Sequence, residues 1–191
     1  MTPNPAGTTW RDTLLEQLDW HWSNQLRPRL DGLTDAEYLW EPTPGAWNIH
    51  ARGAGTTEFQ GGSGDFTVDF AHPAPTPAPV TTIAWRLAHL VVGVFGARVD
   101  GHFGGPEVDY VSFDYAGTAA GALKQLDDVY AAWLAGVRTW SDDDLLEPCG
   151  PAEGPWHETS RAGLVLHINR EAIHHGAEIA LLRDLWAHRN D

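Results

Sequence analysis

The chain has 191 residues, 42% of them apolar, enough to bury one hydrophobic core, and nothing requires a second domain. Its 12 Lys plus Arg stand against 26 Asp plus Glu, and a formal charge of -14 with no basic cluster to offset it would repel a phosphate backbone, which argues against nucleic-acid binding. A lone Cys149 has no internal disulfide partner, which suits a reducing cytoplasm.

The first ten residues, Met1 to Trp10, lack a basic region followed by an apolar run, so they do not read as a secretory signal. From Trp10 the chain repeats apolar residues at spacings near four: Trp10, Leu14, Leu18, Trp22, Leu26 and Leu30. That stripe predicts a first long helix capped by Thr9. Thr34-Asp35-Ala36-Glu37 has the pattern of a capping box, but Pro42 and Pro44 follow closely and leave room only for a short helical turn.

Composition then changes. Between Asn48 and Val80, Gly53, Gly55, Gly61, Gly62 and Gly64 disfavour a helix, Phe66 to Phe70 alternates like a short strand, and Pro73, Pro75, Pro77 and Pro79 favour an extended polyproline-like run. Such an excursion serves either as a lid or partner-binding arm or as a tolerated surface insertion.

Thr81 or Thr82 can cap a second helix carrying Ile83, Leu87, Leu90, Val91, Val94 and Phe95, fading near Gly101 and Gly104. Its apolar stretch from Leu87 to Phe95 is interrupted by His89 and Gly93 and is too short to span a bilayer. Thr118 starts a third helix through Leu126, Trp133 and Val137, and Thr159 or Ser160 a fourth from Leu164 to Trp186. The halves echo each other weakly: Thr34 to Pro42 resembles Ser141 to Pro148, and His89 and His167 each lie seven residues beyond a capping hydroxyl. The expected fold is all-α, one domain over residues 1–191, with helices 2 and 4 as counterparts in a four-helix bundle and a Gly/Pro-rich insertion over about 48–80 between helices 1 and 2. The ten Trp are many for this length, and several recur beside Leu and Val at helical spacing, so most are expected inside.

The fourth helix holds the residues with chemistry. His167, Glu171 and His175 are four apart and form one polar column, while the second helix offers His89 in its most apolar stretch. An imidazole there needs partners, and Glu171 and His175 can supply them around a divalent ion: two nitrogens and one carboxylate leave metal positions open. A core histidine bonded to a backbone carbonyl and a solvated Glu/His column would produce the same spacing. His174 is turned about 100° away from His175 and reads as a rim residue. His21 and His102 are the remaining candidates for neighbours of the site; His50, His72, His157 and His188 are scattered and mostly expected in solvent. Cys149, in a Pro/Gly loop with no base beside it, is a poor nucleophile candidate.

The segment Trp85-Arg86-Leu87-Ala88-His89-Leu90, together with His167 to Ile179 and Leu181-Leu182-Arg183-Asp184, resembles the DinB-like superfamily. That superfamily includes thiol-dependent transferases and the metal-binding domain of mycothiol-dependent maleylpyruvate isomerase, and the resemblance extends over nearly the whole chain. It implies an up-down-down-up four-helix bundle, often a homodimer, that holds zinc or nickel through three side chains. His89 and His175 match the usual histidines; Glu171 takes the place of the first histidine of the usual His-x-x-x-His pair, as in the maleylpyruvate isomerase branch. His167 is then an alternative ligand or a neighbour of the ligands, and His167 or His174 a candidate proton relay. The implied activity is S-transfer or isomerisation with a low-molecular-weight thiol and an electrophilic substrate; abundant Ala, Gly and Trp and scarce Lys suggest a high-GC actinobacterial composition and hence mycothiol. Against this stand a metal-binding stress-response or interaction protein without turnover, and a bundle with no metal at all.

Overall fold

The computed structural model describes residues 8–189. Residues 1–7, most of the segment read for a secretory signal, lie outside the described residues. Four long helices carry the fold, and each begins at a hydroxyl that caps it. Thr9 Oγ1 accepts from the Asp12 N–H and opens α1, residues 10–29. Thr82, not Thr81, caps α2, residues 83–103, by accepting from the Trp85 N–H, and Gly104 ends it at a left-handed φ of 66°. Thr118 caps α3 (Ala119–Val137), and Ser160 caps α4 (Arg161–Ala187). The turn Asp35–Tyr38 is short, with Thr34 as its cap.

Two of these helices are not uniformly α. In α1 the segment Trp22–Leu26 is π-helical, with the Arg27 N–H reaching back to the Trp22 carbonyl, and in α2 the segment Leu90–Gly96 is π-helical directly after His89. A widened turn shifts the side chains that follow it around the axis, and such turns recur at functional sites. Residue spacing does not reveal them.

α2 packs against both α3 and α4, while α1 lies against α4 and α3. Leu18, Leu30, Leu87, Leu90, Phe95, Leu126, Trp133, Ile168 and Ile179 fill the interior. Most Trp residues are not there, contrary to expectation: only Trp22, Trp133 and Trp140 of the ten are buried, and Trp10, the first member of the α1 stripe, is 73% exposed. Trp10 is the first residue of α1, and its backbone N–H donates to Asp142 Oδ2 at 3.0 Å while its ring stays in solvent. No described helix is long and apolar enough to cross a membrane.

The insertion corrects the all-α expectation. The protein is mostly helical, but β1 (Ile49–Ala51), β2 (Phe59–Gly61) and β3 (Phe66–Phe70) form a three-stranded antiparallel sheet in the order β1-β3-β2. β3 was legible because five residues suffice to show alternation; β1 and β2 have three each and exist as strands because β3 pairs with both, Ile49 opposite Val68 and Phe59 opposite Phe70. The proline run is no regular polyproline helix, since it bends at residues 72–73 and 76–77. Trp47 closes the excursion: its N–H donates to the Val80 carbonyl at 2.8 Å and its carbonyl accepts from the Thr82 N–H at 2.9 Å.

Asp69 holds the sheet together. Its fully buried carboxylate accepts from the Asn48 N–H (3.1 Å) and Thr57 Oγ1 (3.1 Å), lies 2.9 Å from His50 Nε2, and is 3.4 Å from Gln60 Nε2. Asp69→Ala leaves these groups without their acceptor in a site closed to water. The expected cost is roughly 3 kcal/mol, measured as a fall in the urea midpoint; a variant as stable as the parent would show that the insertion is not integrated with the helices.

Candidate metal centre

α4 turns its fully buried face, Val165, Ile168, Ala172 and Ile179, into the core, and this leaves Glu171 and His175 on its flank beside α2. α2 presents His89 from the last turn before its π segment. One donor atom each from His89, Glu171 and His175 lies within 4.8 Å of the others, and all three residues are partly buried. His175 Nε2 is 3.5 Å from Glu171 Oε2, and the two imidazoles meet edge to face with centroids 4.8 Å apart. Two nitrogens and one carboxylate oxygen at that separation suit a divalent transition-metal ion.

The outer nitrogen of each imidazole is already engaged. His175 Nδ1 lies 2.7 Å from Glu178 Oε2, and Arg86 Nη1 pairs with the same carboxylate. The carboxylate can only accept, so His175 carries its proton on Nδ1 and presents the Nε2 lone pair to the donor cluster. His89 Nδ1 lies 2.6 Å from Tyr110 Oη, leaving its Nε2 for the cluster. Burial pushes the Tyr110 phenol up to about 12, so it stays a neutral hydroxyl, able to accept the Nδ1–H in the His89 tautomer that leaves Nε2 free. Gly93 makes this contact possible: a Cβ there would stand 2.0 Å from Tyr110 Oη and 3.0 Å from His89 Nδ1. Tyr110 lies in the loop after α2, in no periodic pattern, and the sequence carries no signal for it.

Burial also pushes His89 down to about 4, with the nearby His175 acting in the same direction and Glu171 opposing it. The imidazole is therefore neutral at physiological pH, which is the form that ligates metal. On its open side it stacks on Trp85 at 5.6 Å, and Trp85 Nε1 donates to the Asp69 carbonyl at 2.9 Å, tying the sheet to the site.

His167 stands at the edge, its Nδ1 3.6 Å from Glu171 Oε1 and accepting from Arg170 Nη2 at 2.6 Å; burial lowers its pKa. His174 is exposed, with Nε2 3.4 Å from Glu178 Oε1. His174, His175 and Glu178 form a second cluster of suitable donors, but Glu178 is committed to Arg86 and His175 Nδ1, so an ion there would have to displace both. His21 pairs with Gln25 and the buried His102 with Glu153, so neither joins the cluster, and His50, expected in solvent, is held by Asp69. Burial raises the pKa of Cys149, which favours the unreactive thiol.

A family model described as the DinB superfamily matches residues 64–179, more than half of the chain and inclusive of all three donors. No curated protein and no solved structure matches it.

Tyr110→Phe removes the hydroxyl that holds His89 Nδ1, and metal affinity is expected to fall about ten- to a hundredfold. Competition against a chromophoric chelator reads this, and unchanged affinity would deny Tyr110 an orienting role. A second expectation concerns pH. The folded-state pKa of His89 lies below its unfolded value, so the unfolded chain binds the extra proton first, and the contribution of His89 to stability is lost as pH falls from about 6.5 to about 4. The metal-free His89→Gln variant should therefore lose less stability than the metal-free parent over that interval, as followed by chemical unfolding at each pH. Parallel losses would place the acid sensitivity elsewhere.

Proposed function

Since the chain belongs to the DinB superfamily, we propose that it is a cytoplasmic, metal-dependent S-transferase or isomerase acting with a low-molecular-weight thiol of the mycothiol type. In this reading the four long helices form the up-down-down-up bundle of that superfamily, the molecule is a homodimer, and His89, Glu171 and His175 hold zinc or nickel. The observation that carries the proposal is the meeting of three donors from two helices within 4.8 Å.

A divalent ion bound there would supply a Lewis acid that favours the nucleophilic thiolate of a bound thiol over the thiol. The chain's own groups account for the rest. Glu178 keeps His175 in the tautomer with Nε2 free, and Tyr110 holds Nδ1 of His89 so that Nε2 of that ring is left for the ion. Trp85, stacked on His89, screens one side of the site from water. The thiol proton passes to a base at the rim. His174 suits that role better than His167, because Nδ1 of His167 already accepts from Arg170. Attack of the sulfur on an electrophilic carbon then forms the C–S bond as a leaving group departs with its electron pair; in an isomerase the attack instead breaks the π bond of a conjugated C=C, moving its electrons onto the conjugated carbonyl, and after rotation about the resulting single bond those electrons return and the same sulfur leaves. The formal charge of -14 favours small-molecule partners over nucleic acid.

Metal analysis of His89→Ala and His175→Ala should show loss of the ion with helicity retained, because the apolar interior supplies most of the stability. His174→Ala should keep the ion. Glu171→Gln should weaken binding substantially and Glu171→His should restore it, since a neutral amide oxygen is a poor ligand and an imidazole a good one. Unchanged affinity in Glu171→Gln would remove that residue from the site. Mycothiol consumption with 1-chloro-2,4-dinitrobenzene then separates an enzyme from a metal-binding protein without turnover: a fully loaded protein that gives no conjugate would overturn the transferase reading.

A further inference from the structure

His175 belongs to two overlapping sets of donors. With His89 and Glu171 it forms an inner set, and with His174 and Glu178 an outer set whose donor atoms also lie within 4.8 Å of one another. The outer set offers two imidazoles and a carboxylate within one turn of α4, and it is open to solvent at His174, whose Nε2 is 3.4 Å from Glu178 Oε1. The two sets use different nitrogens of His175. The inner set takes Nε2, 3.5 Å from Glu171 Oε2, and the outer set Nδ1, 2.7 Å from Glu178 Oε2. A neutral imidazole has one lone pair for ligation, on whichever nitrogen lacks the proton, so His175 serves one ion at a time.

What separates the two sets is a cation that the chain itself supplies. Arg86 and His89 are three residues apart on α2, so both side chains leave that helix toward His175. Arg86 reaches the Nδ1 side: its Nη1 pairs with Glu178 Oε2 and lies 3.3 Å from His175 Nδ1, so two N–H groups converge on one carboxylate oxygen. The guanidinium thus stands against both donors that an ion in the outer set would need besides His174. Its side chain is only 17% exposed, and its Nε is buried without a partner. An unsatisfied buried N–H costs free energy, and an apolar pair in place of this ion pair would avoid it. Occupation of the outer carboxylate by a fixed charge gives that cost a purpose.

We propose that Arg86 selects which of the two overlapping sites a divalent ion takes. Its charge occupies Glu178, Glu178 holds the His175 proton on Nδ1, and the remaining lone pair on Nε2 points the ion to His89 and Glu171. Without that charge Glu178 is released, and it can hold an ion together with His174 and Nδ1 of His175. Arg86 does not itself touch the ion; it is a positioning residue that acts through Glu178 and His175. The inference rests on the metal-binding part of the functional reading and is independent of the reaction assigned to it.

The test measures zinc binding by the metal-stripped, tag-free chain in competition with a chromophoric chelator at one fixed pH, with helicity recorded for each variant. His89→Ala should bind zinc about a hundredfold more weakly than the parent, because the inner set has lost a donor and the outer set stays blocked. Combining His89→Ala with Arg86→Gln should recover affinity by about tenfold or more, and adding His174→Ala should abolish the recovery. Arg86→Lys keeps a cation beside Glu178, so with His89→Ala it should give no recovery. Recovery in the Arg86→Lys pair, no recovery in a folded Arg86→Gln pair, or recovery that survives His174→Ala overturns the proposal. So does zinc binding by His89→Ala alone that disappears on adding His174→Ala, since the outer set would then be open with Arg86 in place. That arm needs no change at Arg86 and holds even where Arg86→Gln does not fold. The failures are separable: loss of zinc in His89→Ala without recovery in the Arg86→Gln pair keeps the inner centre and removes the selection, whereas a parent that binds no zinc removes both.

Discussion

The packing of α2 against α4 is the constraint on which the rest of the site depends, because neither helix holds a complete set of donors. α4 can bring Glu171 and His175 onto one flank by its own periodicity, but two donors one turn apart make a weak and unselective site. The third, His89, arrives only because α2 lies alongside. α4 is fixed in turn from its other side, where Gly176, next to His175, admits Leu26 of the α1 π turn: a Cβ at that glycine would stand 3.0 Å from both Leu26 methyls. Asn169, buried on the same helix, donates to the Leu14 carbonyl of α1 at 2.9 Å. The register of α4 is therefore set by its contacts with α1, and the donor cluster inherits that register.

Around the cluster, the hydrogen bonds do electrostatic work that the donors alone do not. Each imidazole has two nitrogens, and a ligand histidine must be prevented from presenting the wrong one. Glu178 does this for His175 with an acceptor-only carboxylate that also pairs with Arg86, while Tyr110 occupies Nδ1 of His89 with a hydroxyl that burial keeps neutral and that fixes the direction of the ring. A carboxylate stands behind His175, whereas His89, backed by a neutral group and packed among aromatic rings, is held neutral by desolvation.

The insertion is built into this arrangement rather than appended to it. Ring contacts run without a break from Phe59 to Phe70, from Phe70 to Trp47, from Trp47 to Trp85 and from Trp85 to His89, with centroid separations between 5.6 and 6.1 Å. The first two rings belong to the sheet and the last two lie on α2. The backbone closure at Trp47 keeps the entry and exit of the excursion together, so the sheet reaches the site as one packed unit.

Much of the helical scaffold was legible in the residues themselves. Four capping hydroxyls, Thr9, Thr82, Thr118 and Ser160, each stand just before an apolar repeat of helical period, and local rules of this kind act within one turn and need no knowledge of the rest of the chain. The column Glu171 and His175 was legible for the same reason, since spacing along one helix determines which side chains are neighbours. Its meeting with His89 was inferred from the need of an apolar-face histidine for partners and from a family resemblance, not from any local rule. What tertiary structure alone decided are the features that depend on approach between distant segments. The strands β1 and β2 are too short to announce themselves and exist because β3 lies between them. That seven of the ten Trp stand outside the buried interior was likewise decided by packing between elements, which the spacing along one helix does not specify. The hydrogen bond between His89 and Tyr110 and the approach of α2 to Glu171 and His175 join residues far apart in the chain, and no periodicity encodes such contacts.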